Sequence, residues 1–319
     1  MNKQFVLLFF IFINSISYTQ SASKPKLIIT ITVDQLGEEV LSRYKDYYKN
    51  GLKKLLNEGV YYSNAMVDHA ITNSLPGHTS IATGMLPRNH GLIDNMWGEI
   101  SGDSVIQIMP TRSYQNRIVG YDSLWGYSPD YLEAKTLAQN ISEANNESKI
   151  ISVGSSVSAA LHMGKQKGLA VWYHPPLAEY VSSDYYLGTL PIWLNKFNDQ
   201  LKVKMNTDTV WNKKYSVGVS SAPIDERSFE NNGKNFLFPH HSYESGDFYR
   251  WINATPFIDK YTTDLVIQSI INEKLGDDIN TDFLSISYSM IDHVGHFFGP
   301  YSLEQFENLM SLDEQLGIL

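Results

Sequence analysis

Leu27-Ile28-Ile29-Thr30-Ile31-Thr32-Val33-Asp34 is a nearly continuous run of Ile, Val and Thr that ends on a carboxylate. A run of this kind, without alternation of apolar and polar residues, reads as a parallel strand buried on both faces. A second strand signal, Phe283 to Ile286, leads directly into Tyr288-Ser289-Met290-Ile291-Asp292-His293-Val294-Gly295-His296. There an Asp and a His stand four residues apart, and a strand end followed by a turn with a glycine would let Asp292 and His296 converge on one ion. Carboxylate oxygen with imidazole nitrogen suits zinc. Asp34, at the end of its own strand, is the third candidate ligand.

Outward from these two strands the chain alternates in the α/β manner. Leu52, Leu55 and Leu56 are spaced for one apolar helical face, Gly59 is a stop, and Val60 to Met66 resumes extended character. Around Ser74 a loop opens into a helix, with Pro76 tolerated in the first turn because its missing amide would be unpaired there. Ile150 to Val153 and Leu169 to Tyr173 read as further strands. Residues 184–255 lack clean alternation and are rich in Asn, Tyr, Trp and Lys, which suggests an inserted cap or irregular loops around the sheet. Val266, Ile267, Ile270, Ile271 and Leu275 form a helical stripe closed by Gly276, and a last helix carries Leu303, Phe306, Met310 and Leu316. The expected fold is α/β: a doubly wound, mostly parallel central sheet with helices on both faces and an inserted cap region. Acidic residues at the carboxyl ends of two strands lie where open sheets of this kind place ligands.

The chain has 319 residues, 43% of them hydrophobic, and a formal net charge of -9. This supports a sizeable core and argues against a nucleic-acid surface; positive charge for a phosphate ester would have to come from metal ions. Residues 1–23 combine Lys3, an apolar stretch from Phe5 to Ile16 and a small, polar end, the pattern of a secretory signal peptide. Export to the periplasm or medium, without a membrane span, is therefore expected. With no cysteine, disulfides, thiolate ligands and lipoprotein attachment are excluded.

Ser74 sits at a helix amino terminus, where free amides and the helix dipole could hold an anionic ester against its hydroxyl. Alone, such a serine is more often a helix cap than a nucleophile. Beside a metal held by Asp34, Asp292 and His296 it becomes a candidate nucleophile.

Four segments together, Val33-Asp34-Gln35, Ser74-Leu75-Pro76-Gly77-His78-Thr79, His90-Gly91-Leu92-Ile93-Asp94-Asn95-Met96-Trp97 and Asp292-His293-Val294-Gly295-His296-Phe297-Phe298-Gly299-Pro300, resemble the alkaline phosphatase superfamily. The resemblance is to its branch of monomeric, secreted bacterial phosphatases related to nucleotide pyrophosphatase/phosphodiesterases, and runs from about Lys26 to the end of the chain. It implies two zinc ions, one held by Asp34 and Ser74 and the other by Asp292 and His296. It also implies Ser74 as the covalent nucleophile, where that branch usually has threonine, and Asn95 as donor to a nonbridging phosphoryl oxygen. Implied, too, are a monomer, a small-molecule phosphate ester substrate and a phosphoserine intermediate. His78 and His293 are expected as supports, and His240 and His241 at the surface.

Two departures from the family's pattern qualify this. Further ligands, an Asp-His pair and a later His, would follow beyond Leu319, so the chain is expected to be the amino-terminal part of a catalytic domain that binds zinc poorly and turns over little. The Lys-x-Arg pair with which phosphomonoesterases of the branch grip a dianion is replaced by Ser156-Val157-Ser158, leaving diesters open. A sulfatase would need a cysteine and an arginine where this chain has Ser74 and His78. The rival of another class is an exported, non-catalytic binding protein that keeps the sheet and part of the metal site.

Overall fold

The computed structural model describes residues 24–216 and 237–319, with Ser228 and residues 230–233 between them. The expected signal peptide and part of the expected cap lie outside the described residues.

In chain order, β1 (Leu27–Val33) is followed by α1 (Glu38–Arg43), α2 (Gly51–Glu58), α3 (Ser74–Thr83) and α4 (Pro87–His90). Two hairpins come next, β2 (Trp97–Ser101) with β3 (Ser104–Ile108) and β4 (Arg112–Ile118) with β5 (Tyr121–Tyr127). The α/β rhythm resumes with α5 (Leu137–Ala144), β6 (Ile150–Gly154), β7 (Leu169–His174), β8 (Glu179–Val181) and α6 (Ile192–Met205). After the short strands β9 (Val210–Trp211) and β10 (His240–His241) come α7 (Phe248–Ile252), α8 (Phe257–Glu273), β11 (Asp282–Tyr288), α9 (Met290–Phe298) and α10 (Leu303–Ile318).

The central sheet has the order β1-β11-β6-β7-β8, parallel across its first four strands with β8 antiparallel at the far edge. Alternate residues of each inner strand feed two cores, as the two-residue period of a strand requires. Leu284, Ile286, Ile151, Val153 and Val171 pack with α6, α8, α9 and α10 on one face. Phe283, Ile150, Ala170 and Trp172 pack with Ala138 of α5 and the 3₁₀ segment Val157–Met163 on the other. The expected doubly wound α/β architecture is what the chain adopts.

Several local expectations are corrected. Val60 to Met66 forms no strand. The helix expected to close at Gly276 ends at Glu273, because Lys274 takes a left-handed conformation at φ 52° and the Leu275 amide returns to the Ile270 carbonyl; Ile271 faces solvent. Within the interval expected to form a cap, α6 buries Leu194, Leu201 and Met205 in the main core. His240 is buried rather than at the surface: its Nε2 lies 2.8 Å from Glu304 Oε1, and Trp211, Phe238 and Phe298 surround the ring.

Among the described residues no helix is long and apolar enough to cross a membrane.

Candidate active site

The register of β1 on β11 builds the site. Val33 pairs with Tyr288, and the Asp34 amide donates to the Tyr288 carbonyl at 2.9 Å, so both strands end on the same rung. One continues into Asp34 and the other into α9, whose first turn carries Asp292. That residue and His296 lie on the helix rather than on a strand end and turn as the sequence suggested. Four residues is close to one helical turn, so they meet all the same, His296 Nε2 3.2 Å from Asp292 Oδ1. The imidazole side chain is 69% exposed and the carboxylate 17%, so the pair opens to solvent from the histidine side.

α3 delivers Ser74 to the same edge. Its hydroxyl donates to Asp34 Oδ2 at 2.7 Å. The cap position belongs to Asn73, with no side-chain cap bond, which leaves Ser74 in the first turn with its hydroxyl committed to a carboxylate. One turn later His78, 4% exposed, brings Nε2 to 3.6 Å from the same Asp34 oxygen. Behind it lies the ring of His162, centroids 5.6 Å apart, whose Nδ1 contacts the Ser285 hydroxyl of β11. His293 is also inside, its ring tied to the main chain of Asn253. Both histidines expected as supports thus stand beside the candidate ligands.

Asn95 reaches the helix from the loop after α4. Its Oδ1 accepts from the Leu75 amide at 2.9 Å, which leaves the side-chain NH₂ as the group able to donate. Gly91 makes this approach possible: it sits at φ 86°, and a Cβ there would lie 2.8 Å from the Tyr131 carbonyl oxygen. Asp94 steadies the loop by accepting from Asn73 Nδ2 and from the Asn95 amide.

The electrostatics follow from burial and crowding. Burial raises the Asp34 carboxyl, but His78, the Ser74 hydroxyl and His293 together outweigh it and hold the group below its ordinary range. Asp292 moves the other way, pushed up by burial and by the charge on Asp34, against the pull of His296, His293 and His78. Burial lowers His293 and takes His162 down to about 3, so these two rings are neutral near pH 7.

Sequence reasoning missed Asp259. From the first turn of α8 its carboxylate accepts from the Ser289 and Met290 amides, each at 3.1 Å, and from the Ser155 hydroxyl at 2.6 Å. It thereby fixes the start of the helix that presents Asp292. An Asp in the first turn of a helix that also carries Lys260 and Asp264 gave no signal that set it apart. Ser156, expected where the cationic pair would align, lies between the site helices: its hydroxyl is 3.5 Å from that of Ser289, and the 3₁₀ segment that follows packs on α3. Lys167 is engaged elsewhere, its Nζ 4.5 Å over the Tyr185 ring.

The donor set is two carboxylates, an imidazole and a hydroxyl. Two carboxylates close enough to perturb one another, on a strand end and a helix, fit a divalent cation in kind. They do not suffice in number. Among the described residues no three His, Cys, Asp or Glu side chains group closely enough to hold a metal by themselves.

The chain is 32% identical over 309 residues to the alkaline phosphatase PhoV of Synechococcus elongatus, covering 94% of this chain and 56% of that protein. It is 29% identical over 318 residues to the alkaline phosphatase PafA of Elizabethkingia meningoseptica, again covering 94% of this chain and 56% of the relative. The crystal structure of wild-type PafA superposes with a TM-score of 0.85 at 28% identity, over 92% of this chain and 58% of that one. The chain thus spans little more than half the length of these relatives. The profile of the type I phosphodiesterase / nucleotide pyrophosphatase family matches residues 28–319, and the chain belongs to that family.

Proposed function

We propose that this chain is the nucleophile-bearing part of a metal-dependent phosphoric ester hydrolase of the alkaline phosphatase type, acting through a phosphoserine at Ser74. The observation that carries the reading is the 2.7 Å bond from the Ser74 hydroxyl to Asp34, made at a helix amino terminus on the sheet edge that also presents Asp292 and His296. The same activity is named for the relatives PhoV and PafA.

The chain's own residues account for binding and for the first half of the reaction. Asp34 orients the Ser74 hydroxyl and takes up its hydrogen bond. The Asn95 NH₂ donates to a nonbridging oxygen of the ester, and the positive end of the α3 dipole adds to that stabilisation. Ser74 Oγ then forms a bond to phosphorus in line with the departing alcohol, whose P–O bond breaks. Attack of water on the phosphoserine releases phosphate and restores the hydroxyl. Asp34 with Ser74, and Asp292 with His296, would hold two zinc ions, which when bound supply positive charge that lowers the serine pKa and offsets the phosphoryl oxygens. Because these four donors among the described residues make up half of two tetrahedral ligand sets, the 319 residues alone are expected to bind zinc weakly. An exported monomer acting on small phosphate esters completes the reading, drawn from the amino-terminal sequence pattern and the resemblance.

A second reading, hydrolysis of diesters, is favoured by one observation: Ser156 and Ser158 occupy the strand-to-3₁₀ turn between the site helices, where monoesterases of the branch carry cations. A dianionic monoester loses more from that exchange than a monoanionic diester. Rates on a paired panel of p-nitrophenyl phosphate and bis-p-nitrophenyl phosphate decide between the two. Equal loss of both on Ser74→Ala is expected under either, and activity unaffected by that change would contradict both.

A further inference from the structure

The sheet face that carries the 3₁₀ segment Val157–Met163 changes character along its length. In register, Ile28, Phe283 and Ile150 form one row across β1, β11 and β6; Thr30, Ser285 and Ser152 form the next; Thr32, Ser287 and Gly154 form the last. The first row is apolar and joins the core on that face. The next two carry hydroxyls toward the carboxyl ends of the strands, where Asp34 and α9 begin. Ser152, Ser285 and Ser287 are fully buried there. Polar side chains set this deep cost free energy unless they are hydrogen-bonded.

His162 closes on the middle row from the opposite side. It is 1% exposed, near the end of the 3₁₀ segment, whose Leu161 shares a small core with Leu75, the neighbour of Ser74. Its Nδ1 contacts the Ser285 hydroxyl, while its Nε2 has no partner among the described residues. The adjacent His78 ring, its centroid 5.6 Å away, brings Nε2 to 3.6 Å from Asp34 Oδ2 and leaves Nδ1 without a partner. Two buried ring nitrogens on neighbouring side chains, neither of them hydrogen-bonded, are an exception that calls for an explanation. Packing does not supply it, because Phe at 162 with Ala at 285 would fill the same space and bury no idle polar atom.

Proton positions do supply it. His78 Nε2 faces a carboxylate and so carries hydrogen, which in the neutral ring makes Nδ1 an acceptor. Burial keeps His162 neutral. With the Ser285 hydroxyl donating to its Nδ1, the one ring proton sits on Nε2, a donor; the opposite tautomer would set an acceptor against the His78 acceptor. An idle donor thus stands beside an idle acceptor. A modest turn of the His78 ring, whose contact to Asp34 is still long at 3.6 Å, lets the two meet. We infer that Ser285, His162 and His78 form one hydrogen-bonded series, each donating to the next and the last to Asp34, and that His162 is a positioning residue for the carboxylate that receives the Ser74 hydrogen bond. Partners behind a ligand commonly fix its orientation in this way. The effect on the reaction rests on the proposed role of Ser74; the series itself is a property of the fold.

Heteronuclear NMR of the imidazole nitrogens, in the protein without added metal, reads the tautomers directly. A single proton on Nε2 is expected for both His162 and His78, and Ser285→Ala should release His162 into a mixture of tautomers. The combined His162→Phe and Ser285→Ala variant keeps the volume and strands no hydroxyl, so its urea midpoint should stay close to that of the parent. Labelling of Ser74 by radiolabelled p-nitrophenyl phosphate in excess zinc should nevertheless slow roughly 10-fold per folded molecule. His162→Gln, which restores a donor near the place of Nε2, should recover most of that rate. If the combined variant does not fold, Ser285→Ala alone carries the same labelling prediction. A His162 proton on Nδ1, protons on both nitrogens of His78, or unchanged labelling in the folded variants would overturn the inference. Absence of label from the parent protein would instead count against Ser74 as nucleophile and leave the tautomers to decide the series.

Discussion

At the scale of single residues, the site depends on one hydroxyl and the carboxylates around it. Ser74→Ala removes the group proposed to form the phosphoester and one hydrogen bond to Asp34, so phosphoenzyme should vanish while the unfolding free energy changes by only about 1 kcal/mol. Urea unfolding of the two proteins side by side checks the second half of that statement. Asp259 gives a prediction in pH. Burial, opposed by its three donors, pushes its carboxyl from 3.8 up to about 7. Between these values the folded chain holds a proton that the unfolded chain has released, so this group's contribution is complete below about pH 4 and fades as pH rises through 7. Asp259→Asn, which cannot ionise, should flatten that arm of the stability profile, a difference on the order of 2–4 kcal/mol across the window. Melting temperatures of both proteins from pH 4 to 8 would show it; parallel profiles would mean that Asp259 is ionised in the fold throughout.

At the scale of elements, α10 is the beam that the rest is tied to. Asp313, 2% exposed, accepts from the amides of Lys49, Asn50, Leu52 and Lys53 and so caps α2 from a distance of more than 250 residues. Glu307 does the same for Lys214 and Tyr215, and Glu304 meets His240. Asp313→Ala should therefore cost on the order of 2–4 kcal/mol, since it strands buried amides rather than one bond. Gly51 marks the crossing of α2 with α10: a Cβ there would lie 2.3 Å from the Leu316 carbonyl carbon, main chain that cannot swing aside. Gly51→Ala should destabilise by roughly 1–3 kcal/mol through overpacking. Both changes lie away from Ser74, so calorimetry should register them while the fraction of folded protein labelled at Ser74 stays unchanged.

Across the whole molecule, what was legible in the sequence is what the core dictates. β6, β7 and β11 are buried along almost their whole length, and their apolar runs declared them; Ser74 with Pro76 announced α3, whereas α9 stands where a turn was expected. The hairpin β2–β3 was missed because Ile100 and Val105 face outward, and β4–β5 because exposed Tyr114 and Trp125 obscure the few residues, Ile118 first, that reach the core. α6 was missed because exposed Ile192 and Val203 blur its buried stripe of Leu194, Leu201 and Met205. Asp259 and Asp313 act across long sequence separations and leave no local signature. The convergence of Asp34, Ser74, Asp292 and His296 was read from chemistry and resemblance, and the parallel register of β1 on β11 supplies its physical cause. In a zinc titration the 319-residue chain should bind with low affinity and slow turnover, because among the described residues the proposed donors number four, half of what two tetrahedral ions need; tight binding of two ions would show that the donors here suffice. The most direct measurement is acid-quench trapping with a radiolabelled phosphate ester in excess zinc, followed by peptide mapping. The label should sit on Ser74 and be absent from Ser74→Ala; label on another residue, or label that survives that substitution, would contradict the account.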